Sequence, residues 1–116
     1  MAAILDAHGR HREAQAPLRQ ALSILEDVLG PDHYEVAVTL DKLAAIVRRT
    51  GDCAQAAAVY ERALGIKSRV LGSDHADIAV TLGDLGAAYL AAGCFEAAET
   101  ALSRASAILE RRSERP

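Results

Sequence analysis

The sequence has no tryptophan, one phenylalanine (Phe95) and three tyrosines (Tyr34, Tyr60, Tyr89) in 116 residues. That leaves no platform of rings on which nucleic-acid bases could stack. Positive charge is not in excess either: 13 Lys and Arg stand against 16 Asp and Glu, for a net charge of -3, and the basic field that phosphate backbones need is missing. Nucleic acid is therefore not an expected partner. No apolar run approaches the 18 or more residues of a membrane span, and the first six residues, Met1 to Asp6, lack the basic start and apolar centre of a signal peptide. A cytoplasmic chain with no membrane contact is the expectation. Cys53 and Cys94 are the only cysteines. They form neither a CxxC pair nor a disulfide framework, so free thiols are expected.

What the chain does have is a repeat. Leu29-Gly-Pro-Asp-His-Tyr-Glu-Val-Ala-Val-Thr-Leu40 returns as Leu71-Gly-Ser-Asp-His-Ala-Asp-Ile-Ala-Val-Thr-Leu82, 42 residues further on. The same spacing relates Gly9, Gly51 and Gly93; Ala14, Ala56 and Ala98; Ala21, Ala63 and Ala105; and Ile24, Ile66 and Ile108. A fixed period of this size marks stacked units, each hiding its apolar face against its neighbours. With 51% apolar residues the length suits one domain.

Within the units the apolar spacing is helical. Met1 to His8 lines up with Leu43 to Thr50, as the second half of a helix, and Gly9 is expected to break it. A helix follows from Arg12 to Leu29, with Pro17 near its start or at a kink. Gly30-Pro31 ends it, and Asp32 with Glu35 has capping-box spacing for the next helix, repeated by Asp74 and Asp77. That helix, Tyr34 to Arg49, turns Val36, Leu40, Leu43, Ala44 and Val47 to one side and Val38, Lys42, Ala45 and Arg49 to the other. Thr50-Gly51-Asp52 is a tight turn that sends the next helix, Cys53 to Leu71, back antiparallel. Ala76 to Ala91 and Phe95 to Arg111 repeat the pair. Small residues, Ala44 against Ala56 and Gly86 against Ala98, let the helix axes approach closely.

Leu82-x-x-Leu85-Gly86-x-x-Tyr89-x-x-x-Gly93-x-Phe95-x-x-Ala98-x-x-x-Leu102-x-x-Ala105 resembles the tetratricopeptide repeat, and Leu40, Leu43, Ala44, Gly51, Ala56, Tyr60 and Ala63 form a similar copy. The unit exceeds the usual 34 residues, and its Leu-Gly-x-Asp-His insert resembles the longer units of kinesin light chains. The resemblance implies an all-α fold, a right-handed α-solenoid of antiparallel helix pairs. It would comprise a truncated repeat at 1–29, full repeats at 30–71 and 72–113, and a frayed tail at 114–116.

The resemblance also implies a non-catalytic scaffold that holds a peptide or partner helix in a concave groove. Carried onto this sequence, the groove is lined by Val38, Lys42, Ala45 and Arg49 and by Val80, Asp84, Ala87 and Ala91, with Asp41 and Arg48 at its edge. Kinesin-type units often read Leu-Asn-Asn-Leu at the peptide-binding turn. Here the turns read Leu40-Asp-Lys-Leu43 and Leu82-Gly-Asp-Leu85, without the amides that would grip a peptide backbone. The alternative reading is a regulatory domain of a larger bacterial signalling protein that senses a ligand or peptide.

Sharper chemistry has weaker support. Asp32-His33, Asp74-His75 and the pair His8 and His11 raise the question of metal, but the two Asp-His pairs lie a repeat apart and zinc needs three or four converging ligands. No metal and no cofactor are expected. Cys53 with His33 is read as a structural cysteine near a loop histidine, not as nucleophile and base. The Arg48-Arg49 and Arg111-Arg112 pairs close helices, where each charge favours the helix dipole by about 0.3 to 1 kcal/mol; Arg49 also shares a face with Lys42. Tyr60 and Tyr89 are expected to pack with their hydroxyls at the surface. Both ends of the array leave apolar surface open, which suits a longer array or association of like chains.

Overall fold

The computed structural model describes the backbone of residues 2–72 and 74–113, and the side chains of residue 13 and of residues 15–112 apart from 73. Five helices follow one another: α1 (Ala2–Leu29), α2 (Tyr34–Arg49), α3 (Cys53–Leu71), α4 (Ala76–Ala92) and α5 (Phe95–Ser113). Each packs on the next in sequence, α1 on α2 through to α4 on α5. The chain is all-α, with helices stacked in order as the 42-residue repeat requires.

The turns use the glycines. Gly51 and Gly93 adopt φ of 100° and 84°, a region closed to residues with a β-carbon except at a cost. Beyond Gly51 the Asp52 carboxylate accepts from the Gln55 N–H at 3.1 Å, capping α3.

The caps of α2 and α4 differ from the expected ones. His33 Nδ1 accepts from the Glu35 N–H at 3.1 Å, and His75 Nδ1 accepts from the Asp77 N–H at 3.0 Å. Helix α2 starts at Tyr34, with His33 at its cap in an extended conformation; Asp32 stands one residue too early to cap it. Asp32 accepts instead from Arg69 at 2.9 Å, and Asp74 pairs with Arg111 at 2.8 Å. The repeated Asp-His thus does two jobs: histidine caps the helix, and aspartate ties the loop to the end of the following helix.

The break expected at Gly9 does not form, because α1 is continuous from Ala2. Arg10 follows Gly9 where Asp52 follows Gly51, and arginine is a good helix former with no acceptor to offer as a cap. Pro17 lies inside this helix. It cannot donate to the Glu13 carbonyl, and both residues are exposed, so water can reach that carbonyl. The side chains of His8 and His11 and the tail at 114–116 lie outside the described residues.

The predicted apolar face of α2 is buried throughout: Val36, Leu40, Leu43, Ala44 and Val47 are at most 2% exposed. They pack with Leu22 of α1, with Ala56, Tyr60, Ala63 and Ile66 of α3, and with Leu85 of α4. A second cluster joins Ile78, Ala79 and Leu82 of α4 to Ala101, Ala105 and Ile108 of α5, and Leu64 packs against both.

One core expectation needs correction. Tyr60 is 1% exposed, so its ring is enclosed rather than reaching the surface, because α3 is packed by α2 and α4. Its counterpart one period later, Leu102, is 40% exposed, because among the described residues α5 packs substantially on α4 alone. Leu102 takes up the space left at Gly86: a β-carbon there would stand 2.7 Å from Leu102 Cδ2.

Candidate functional site

The spacing of Val38, Lys42, Ala45 and Arg49 on α2 is that of one helical stripe. Val80, Asp84, Ala87 and Ala91 lie one period later on α4. Lys42, Arg49, Val80 and Ala91 are exposed, and Val38, Ala45, Arg48, Asp84 and Ala87 are half-buried. Polar contacts link the two helices beside these stripes. The Tyr34 hydroxyl donates to Asp77, and Thr81 Oγ1 donates to Asp41 at 3.4 Å. Asp41 precedes Lys42 and Thr81 follows Val80, so both stripes flank one seam.

The Tyr60 phenol of α3 is buried in the core with residues of α2 and α4. Burial raises its pKa, the negative charges of Asp84 and Asp41 raise it further, and the positive charges of Arg48 and Arg49 oppose them. Charges expected at the groove, from α2 and α4, thus act in opposite directions on one enclosed phenol.

Asp41 is not a free edge charge. Its carboxylate accepts from the ammonium of Lys67, a residue only 3% exposed. Lys67 also donates to Thr81 Oγ1 at 3.0 Å and lies 4.0 Å from Asp77 Oδ2. Burial raises the Asp41 pKa and outweighs the hydrogen bond and charge of Lys67, which lower it. Asp41 Oδ1 is buried without a hydrogen-bond partner among the described residues. Lys67, Asp41, Thr81, Asp77 and Tyr34 therefore form one polar cluster joining α2, α3 and α4.

Lys67 stands in helical register with the buried Ala56, Tyr60 and Ala63 of α3, a spacing that does not reveal this role. A signal was present: its counterparts one period away are Leu25 and Leu109, while Asp41 stands where the next unit has Gly83. A lysine on a buried face needs a carboxylate partner, and the departure at position 41 supplies one.

With Asp41 committed to Lys67, the α2 stripe carries uncompensated positive charge. Lys42, Arg48 and Arg49 have no carboxylate within ion-pair distance among the described residues. The surface offers a basic strip on α2, the single charge of Asp84 on α4, an exposed Val80 and a floor of alanines. Such a surface can hold an extended chain or a helix by charge and apolar contact. Cys53 is half-buried and Cys94 exposed, both as free thiols, and no hydrogen bond joins Cys53 to His33 among the described residues. No group of three or more His, Cys, Asp or Glu converges among the described residues, and no helix there is long and apolar enough to cross a membrane.

The family profile described as tetratricopeptide repeat matches residues 1–69 and 60–111. Among solved structures, the chain is similar to BtubC (BKLC) from P. vanneervenii, with 27% identity and a TM-score of 0.86 over 99% of this chain and 46% of that one. It is also similar to a kinesin light chain-like protein of Podosopora anserina with nearly identical TPR-like repeats, with 23% identity and a TM-score of 0.75 over 99% of this chain and 60% of that one. The second likeness shows the fold alone. The chain spans about half the length of these structures. Among curated proteins, none matches it.

Proposed function

The chain belongs to the tetratricopeptide repeat family, whose members generally serve as protein-interaction scaffolds, and from that premise we propose that it is a non-catalytic module binding a peptide or partner helix across the α2 and α4 surface. The observation that carries this reading is the set of unpaired cations Lys42, Arg48 and Arg49 beside the exposed Val80. Charge left unpaired on an ordered surface is available to an incoming partner and favours one of complementary sign. The Lys67 cluster supports the role by fixing α2, α3 and α4 relative to one another, so the surface is ordered before a partner arrives.

We read the units as full repeats at 30–71 and 72–113 preceded by a partial one, and the module as part of a longer array. The test is recovery of partners on the immobilised chain, alongside a Lys42→Glu/Arg49→Glu variant of unchanged helicity. Loss of a specific partner on the variant supports the reading. Equal recovery by both removes the surface assignment.

A further inference from the structure

The space between α1 and α3 and the space between α3 and α5 are related by the repeat, yet they are filled differently. Between α1 and α3, Val59 packs against the core and Arg62 pairs with Glu26 at 3.2 Å. The Gln55 amide, turned to satisfy its neighbours, accepts from Arg19 at 3.3 Å. One period later Val59 is replaced by Ala101, Gln55 by Ala97 and Glu26 by Ser68. A filler, a bridge and an acid are lost together.

What remains between α3 and α5 is a cleft of about 320 Å³ floored by Leu64, Leu82 and Leu85, with Glu61, Tyr89 and Arg104 among its lining. Arg104 is the counterpart of Arg62 but has no carboxylate within ion-pair distance among the described residues. Glu61 is already engaged, accepting from the Tyr89 hydroxyl.

We propose that this cleft is a second binding site, separate from the α2 and α4 surface, for a small monocarboxylate with an apolar body. The hydrocarbon lies on Leu64, Leu82 and Leu85, and the carboxylate takes the place beside Arg104 that the lost acid would have filled. The volume sits at the small end of ligand pockets and suits a molecule of roughly ten non-hydrogen atoms. Glu61 disfavours a second anion, so the site selects monocarboxylates over dicarboxylates.

The test is an amide NMR titration of the full chain with 4-phenylbutyrate, run beside 4-phenylbutylamine and glutarate. The proposal expects saturable shifts with 4-phenylbutyrate at the amides of Leu64, Leu85, Ala101 and Arg104, and little response to the other two. Arg104→Gln, at an exposed position, should weaken binding about tenfold, the effect of one charge-assisted hydrogen bond. Ala97→Gln/Ala101→Val restores the side chains of the other unit and should abolish binding while the helical spectrum is kept. Lys42→Glu/Arg49→Glu should leave it unchanged, which separates this site from the proposed partner surface. Shifts that do not saturate, equal binding of the amine, or undiminished binding by the filled variant would overturn the proposal.

Discussion

Lys67 of α3 donates to Thr81 of α4 at 3.0 Å while its ammonium is also held by Asp41 of α2. A lysine 3% exposed is tolerated only because this contact and its carboxylate partner replace water. Lys67→Ala should destabilise the chain by about 2 to 4 kcal/mol, because the Asp41 charge is left buried without its counter-charge. Lys67→Leu/Asp41→Ala should recover most of that loss, since apolar side chains often replace a buried pair at little cost. Urea denaturation of the three proteins checks this; a double variant weaker than Lys67→Ala would contradict it.

The same carboxylate sets a pH dependence. Burial raises the Asp41 pKa above its ordinary 3.8, so the folded chain takes up that proton more readily than the unfolded chain. The stability this proton contributes is fully present below the ordinary value and is lost as pH rises through the raised, folded one. Asp41→Asn removes the titration. The stability of the native chain minus that of Asp41→Asn should therefore grow as pH falls from about 7 toward about 4. Urea midpoints across that range measure the difference, and a gap that narrows on acidification would count against the burial argument.

Gly86 and Leu102 compete for one space. A β-carbon on Gly86 would lie 2.7 Å from Leu102 Cγ and Cδ2, and Leu102, 40% exposed, can escape only by turning outward and giving up its packing. Gly86→Leu should cost about 1 to 3 kcal/mol. In a Leu102→Ala background the conflict vanishes, and Gly86→Ala should gain about 0.5 to 1 kcal/mol of helix propensity. A double-mutant cycle read by thermal melting checks the coupling; additive effects would show that the two positions do not share this volume.

Much of the fold was legible because a repeat reports its own boundaries. Two copies of Leu-Gly-x-Asp-His located the inter-unit loops, and the spacing of Val36, Leu40, Leu43 and Val47 gave the buried face of α2. Periodicity says which side of a helix is apolar and little about where the helix ends. Hence the cap fell on His33 instead of the adjacent Asp32, and α1 ran on through Gly9. Lys67 was hidden for a related reason: a buried cation occupies the same register as a leucine, and its partner Asp41 lies on another helix. The cleft between α3 and α5 was invisible in either unit alone, since Ala101 in its lining stands where the preceding unit has Val59. The candidate surface on α2 and α4 was read from one helical stripe and a family resemblance. The charge state of that stripe became readable only when Asp41 was found paired elsewhere.

The proposed function depends most heavily on the charge of the α2 strip, Lys42, Arg48 and Arg49. The decisive measurement is the Kd of a partner recovered by the native chain, compared between Lys42→Glu/Arg49→Glu and a control reversal on α1 and α5, Arg19→Glu/Arg104→Glu. The first should weaken binding by about tenfold or more and the second should leave it within about twofold. Undiminished affinity in the first with loss in the second would contradict the proposed function and move the binding surface to the opposite side of the stack.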